Sequence, residues 1–196
     1  MKMMLKAMQK KNSGIPKDVL PVFEGIVQKY AALNAPSLGH ECNAEFVRAM
    51  ETHLTKEQRF GFYEKHGGCN GTGHDKERKA FAHEHAHLPL AERLELFESQ
   101  QKLGLRDGSI RETVLNDDNT ITLTFACTHG YYRYAREGKS FTPPASLQTY
   151  FESCAGGRLY ELEKALGIKL KIKSADISPL SENARNPVIF TFDIVG

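Results

Sequence analysis

The sequence predicts an α+β fold: N-terminal helices, then a ββαββ unit whose antiparallel sheet is packed by a long helix. Three observations carry this expectation. Apolar residues recur at helical spacing up to about residue 104. Two runs that alternate apolar and polar residues, 110–115 and 120–126, flank the turn-forming Asn116-Asp117-Asp118-Asn119. A long helical pattern at about 147–166 is followed by two more alternating runs. Helices first and strands later is the order of an α+β domain.

Residues 1–16, rich in lysine and closed by Gly14-Ile15-Pro16, read as a flexible leader before a single domain at 17–196. Its helical part runs over about 17–104 and its ββαββ part over about 105–196. A helix at about 17–33 is predicted by Val19, Leu20, Phe23, Ile26, Val27 and Tyr30, with Pro21 tolerable only in the first turn. A second, about 41–54, carries Phe46, Val47, Met50 and Leu54. Thr55-Lys-Glu-Gln58 fits a capping box for a third, which stops before Gly67-Gly68. A charged helix at about 74–87 is broken by Leu88-Pro89, and another, about 90–103, ends at Gly104.

In the second strand Ile121, Leu123 and Phe125 alternate with threonines, so period 2 carries Cys127, and His129 if the strand persists, onto the apolar side. The helix at 147–166 is expected to put Leu147, Phe151, Cys154, Leu159, Leu162 and Leu166 on one side. Ile168, Leu170 and Ile172 then alternate with Lys169, Lys171 and Lys173, a solvated face that also discourages edge pairing. Val188, Phe190, Phe192 and Ile194 mark the last strand.

Composition bounds the function classes. The 196 residues are 40% hydrophobic and 26% charged, an ordinary globular balance. A net charge of +2 argues for neither nucleic acid nor an anionic membrane as partner. The N-terminal apolar run is too short for a signal peptide, and no segment approaches the roughly 20 apolar residues of a membrane span. The four cysteines lie far apart, which favours free thiols or metal ligands over a disulfide framework. The expected location is cytoplasmic.

The most site-like cluster is Cys127, His129 and Cys154, with Cys69 from the glycine-rich turn Gly68-Cys69-Asn70-Gly71-Thr72-Gly73 as a fourth member. Thiolates and imidazole are zinc ligands, and zinc prefers four in a tetrahedron. Gly156-Gly157 beside Cys154 costs helix stability, about 1 kcal/mol each relative to Ala, and a close backbone or ligand approach would account for them. The competing reading is that these cysteines are small buried hydrophobes. Cys127 or Cys154 activated by His129 would be a nucleophile, with Arg158, one turn beyond Cys154, holding a substrate carboxylate. Tyr132, in the run Tyr131-Tyr132-Arg133-Tyr134, is a stacking candidate for a flat or anionic ligand. Two further motifs are set aside. The glycine turn has no Gly-Lys-Ser/Thr, so it is not a phosphate loop. His83-Glu84-His85-Ala86-His87 matches His-Glu-x-x-His, but Pro89 ends the helix at once and no third ligand motif follows.

Cys69 in a glycine turn, Cys127-x-His129 at a strand end, and Tyr150-Phe-Glu-Ser-Cys154-Ala-Gly-Gly157 running into Leu159-Tyr-Glu-Leu-Glu-Lys-Ala-Leu-Gly167 form an ordered set. Over residues 66–196 this set resembles a loose group of bacterial proteins related to the 4-vinyl reductase domain and to L-2-amino-thiazoline-4-carboxylic acid hydrolases. The resemblance implies an α+β fold with a small-molecule pocket, sometimes with a metal held by cysteines. Cys69, Cys127 and Cys154 match the group's cysteines. His129 stands where relatives often have another cysteine, and Asn186-Pro187 stands where a last one is common. The expected function is a small-molecule-binding or sensory domain with a Cys/His zinc site. The alternative is a hydrolase of a C–N bond in a small amidine- or thiazoline-like compound, using metal-bound water or a cysteine. The expected partner is a small molecule, with no nucleic acid or membrane, and self-association into a homo-oligomer is allowed.

Overall fold

A computed structural model of the chain describes residues 2–32, 39–67, 74–99, 109–126, 147–182 and 186–195. The chain is α+β. Its described helices are α1 (Lys2–Met8), α2 (Leu20–Ala32, entered through a 3-10 turn at Lys17–Val19), α3 (Gly39–His53), α4 (Lys56–His66), α5 (Asp75–Glu84), α6 (Leu90–Ser99), α7 (Leu147–Leu166) and the single turn α8 (Pro179–Glu182). The strands are β1 (Ile110–Leu115), β2 (Thr120–Phe125), β3 (Leu170–Asp176) and β4 (Val188–Ile194). They form one antiparallel sheet in the order β1-β2-β4-β3.

Local chemistry explains most boundaries. Thr55 accepts from the Gln58 amide at 3.2 Å, and the Gln58 side chain accepts from the Thr55 amide at 2.9 Å, so the expected capping box starts α4. The β1–β2 hairpin turns at Asn116–Asn119, and Asn119 takes the left-handed conformation (φ 61°) that Asn tolerates better than most residues. Gly167, at φ 67°, ends α7. The charged helix ends at Glu84, three residues before its expected limit, and a turn leads into Pro89.

The core side of the sheet is Ile121, Leu123 and Phe125 of β2 with Val188, Phe190 and Phe192 of β4, all at most 4% exposed. The alternation read from the sequence therefore holds through Phe125. On β3 it holds from Leu170 to Lys173, after which a bulge between Ile172 and Ser174 moves the next buried position to Ala175.

Two expectations need correction. The leader is not a loose tail. Helix α1 places Met8 (1% exposed) in the core with Met4 and Leu5 packed against it, and Ile15 (7%), beyond the helix, is buried as well. An apolar stripe at helical spacing was hidden among lysines, carried by methionines that adapt to an irregular surface. Helix α7, in turn, is not one-sided. Besides its apolar stripe it buries Thr149, Glu152, Arg158 and Glu161 at 0–1% exposure, because it is flanked by the sheet and by helices α3, α4, α5 and α6.

Candidate functional site

The described members of the expected cluster, Cys154 and Arg158, both lie on α7. Three of its faces are closed by identifiable contacts. Towards the sheet, the Gln148 side chain donates to the Ala175 carbonyl at 2.7 Å, and Glu163 accepts from the Leu170 amide at 3.0 Å. Towards α4, Arg59 grips Glu152 with both carboxylate oxygens engaged, at 2.7 and 3.1 Å, and Thr149 donates to Glu51 of α3 at 2.6 Å. Towards α5, the Tyr160 hydroxyl donates to Asp75 at 2.5 Å.

Gly156 belongs to the α4 contact. A Cβ built there would stand under 3 Å from the carbonyl group of Tyr63 and 3.0 Å from the Gly67 Cα, and a Cβ on Gly67 would meet the Gly156 carbonyl and the Gly157 amide as closely. The backbones of α4's end and α7's middle touch directly. Of the two approaches that would account for these glycines, the backbone one is therefore present at Gly156.

The remaining face carries Cys154, Arg158 and Glu161 at i, i+4 and i+7. Cys154 is 2% exposed. The Arg158 guanidinium lies 5.3 Å from the centre of the Phe125 ring, at the end of β2. Its Nη1 is 3.0 Å from Oε2 of Glu161, whose Oε1 lies 3.3 Å from Nη2 of Arg78 on α5. One carboxylate thus bridges two guanidinium groups, all three side chains being 2% exposed. Asp75 adds a second carboxylate 3.7 Å from Arg78. Two arginines and two carboxylates balance in charge, which is what makes burial of the set tolerable.

The electrostatics around α4 are those of a closed interior. Burial, then the Glu152 charge, pushes the Tyr63 hydroxyl far above the ordinary phenol range. The hydrogen bond to Glu152 raises the Arg59 guanidinium further.

Of the residues singled out in the sequence, Cys154 and Arg158 lie on one face, one turn apart. Cys69, Cys127, His129 and Tyr132 lie outside the described residues. His83, Glu84 and His87 are exposed, and His85 packs edge-on against Phe81 with ring centres 4.5 Å apart. Among the described residues no group of three or more His, Cys, Asp or Glu side chains is placed to hold a metal ion. No described helix is long and apolar enough to cross a membrane. Arg59, Arg78, Glu152 and Glu161 were not anticipated. The available signal was the pair Glu152 and Glu161 within a helix otherwise read as apolar on its inner side, since a carboxylate there needs a cation from elsewhere. No protein-family model, no curated protein and no solved structure matches the chain.

Proposed function

We propose that this protein is a small-molecule-binding or sensory domain whose site lies on the α7 face bearing Cys154 and Arg158, with a soft metal, zinc, held by Cys154 together with Cys127, His129 and Cys69. The observation that supports it is the contact of Arg158 with Phe125 at 5.3 Å. Cys127 is two residues beyond Phe125, a span of at most about 7 Å. Covalent reach alone therefore favours a meeting of the Cys127–His129 stretch with Cys154, and zinc would need such ligands because the described residues do not complete a site. A buried guanidinium beside a thiol suits a ligand with a carboxylate or another planar anion.

The hydrolase reading uses the same face: Arg158 orients a carboxylate while a thiolate or metal-bound water attacks the C–N bond. It is favoured by the one-turn spacing of thiol and guanidinium. The simpler alternative to both is an ionic lock that only joins α5 to α7.

Elemental analysis of the purified chain tests the metal. About one zinc per chain, lost in Cys154→Ser and in Cys127→Ser, is the expected result, and a folded metal-free preparation would sink the metal site. Arg158→Met separates ligand binding from locking. Under the binding reading it abolishes thermal stabilisation by small carboxylates; under the locking reading no carboxylate stabilises the parent chain at all.

A further inference from the structure

Helix α4 ends on a seam with no slack. Gly67, which follows its last turn, and Gly156 of α7 approach so closely that a Cβ on either would fall under 3 Å from the backbone of the other element. The residue before Gly67 is His66, whose ring packs against that of the fully buried Phe62 with centres 5.2 Å apart. Its Nε2 is a buried atom with no hydrogen-bond partner among the described residues. A neutral imidazole tolerates such a place at the cost of one unmade hydrogen bond. An imidazolium does not, because both nitrogens then carry protons and the ring carries a charge.

Among the described residues the surroundings offer that charge no counter-ion. The charged groups that face the ring are Lys10, beyond α1, and Lys65, its neighbour on α4, both of the same sign. Lys65 is held by donating to the Asn12 carbonyl at 2.9 Å. The adjacent carboxylate, Glu64, stands about 200° round the helix from His66 and accepts from the Ile172 amide of β3 at 2.8 Å. Tyr63, one turn back on the α7 side, gives its hydroxyl to the Met50 sulfur at 3.1 Å and is held neutral by burial. What α7 brings to this end of α4 is the backbone of Gly156 and Gly157.

We propose that His66 is a pH-sensitive latch on the α4–α7 seam. Neutral, its ring stays on Phe62 and the glycine backbones touch. Protonated, the ring leaves Phe62 for water, the last turn of α4 lifts from α7, and the flank of the Cys154 helix opens. The step adds one proton and one positive charge to the ring, breaks no covalent bond and reverses as the pH rises. The seam is therefore closed above the ring's own titration and open below it. Cys154 precedes Gly156 by two residues, so the movement reaches the turn of α7 that carries it. Control of metal or ligand uptake by the latch rests on the function proposed above; the latch itself does not.

The test is NMR of the full chain, without added metal or ligand, from about pH 8 to about pH 5. The His66 ring is expected to titrate below the ordinary value of about 6.5, and the Gly67, Gly156 and Gly157 amides to shift with the same midpoint. Corrected for intrinsic pH dependence, those amides should exchange at least about tenfold faster below the midpoint, with Ile121 and Phe192 of the sheet unchanged. His66→Gln should abolish the titration of the three amides, and His66→Phe, which keeps a ring against Phe62, serves if that variant misfolds. Glycine amides that ignore the titration of His66 would overturn the proposal, as would a ring that stays neutral throughout. So would a midpoint at or above the ordinary value, which would reveal an anionic partner. A titration of the glycines that survives in the His66 variant would assign it to another histidine and overturn the proposal equally.

Discussion

Replacing Gly156 by alanine sets two known effects against each other. In the interior of a helix the change favours folding by about 1 kcal/mol, because alanine loses less backbone entropy. Against that, the new methyl group would sit under 3 Å from the backbone carbonyl of Tyr63 and at 3.0 Å from the Gly67 Cα. The obstacles are main-chain atoms of a packed helix end, so no side-chain rotation relieves them, and α4 must move off α7. Overpacking of this kind costs typically about 1–3 kcal/mol, and rigid obstacles on both sides place it at or above the top of that range. The net expectation is a loss of roughly 2 kcal/mol, or about 4–8 °C in Tm for a chain of this size. Urea denaturation of Gly156→Ala beside Gly61→Ala and Gly25→Ala provides the assay. A Cβ at Gly61 or Gly25 meets nothing within 4 Å, and both sit within helices, so each should gain up to about 1 kcal/mol. A neutral or stabilising Gly156→Ala would refute the backbone-contact account and return that glycine to a ligand or another role. Moving α4 off α7 also disturbs the face that carries Cys154, so the zinc uptake proposed for that face would fall with stability in this variant and stay unchanged in Gly61→Ala.

Two further predictions concern charge. Arg59→Met leaves Glu152, 1% exposed, as an uncompensated carboxylate and should cost about 3–5 kcal/mol, whereas Arg59→Met with Glu152→Leu should recover most of that loss; a double-mutant cycle by denaturant midpoint reads the coupling. Burial, followed by the Lys10 and Lys65 charges, holds the His66 imidazole below its ordinary range, and its Nε2 is buried with no hydrogen-bond partner among the described residues. Since the folded pKa is depressed, this group's contribution is present above the unfolded value of about 6.5 and is lost as pH falls through the folded one. His66→Gln should therefore flatten the decline of stability on the acid side of neutrality, and an unchanged slope in pH-resolved thermal melts would assign that decline to other groups.

Much of the fold was legible because short-range rules govern it. The threonine–apolar alternation of β2, the Asn-Asp-Asp-Asn turn and the Thr55–Gln58 capping box are satisfied by neighbours in sequence. The 147–166 pattern located α7 to the residue. The candidate site was legible only in part. Cys154 and Arg158 could be placed together by helical spacing, but spacing is silent on what a helix face meets. Glu161 became significant only when Arg78, from a separate helix, was found against it at 3.3 Å. The methionines of α1 were unreadable for a related reason: a stripe of adaptable side chains among lysines looks like a solvated tail until another surface covers it.

By itself, then, the sequence determined the order and type of the elements from α2 to β4 apart from the single turn α8, the α+β class and the pairing of a thiol with a guanidinium on one helix. These follow from periodicities and caps that act within a few residues. Tertiary structure alone decided that α7 is enclosed on several sides, that Gly156 exists for a backbone contact with α4, and that one carboxylate serves two arginines. It also decided that the outward amides of Leu170 and Ile172 on β3 are capped by carboxylates. Most of those depend on groups tens of residues apart being brought within a few ångströms, where burial turns an ordinary charge or amide into one that must be satisfied.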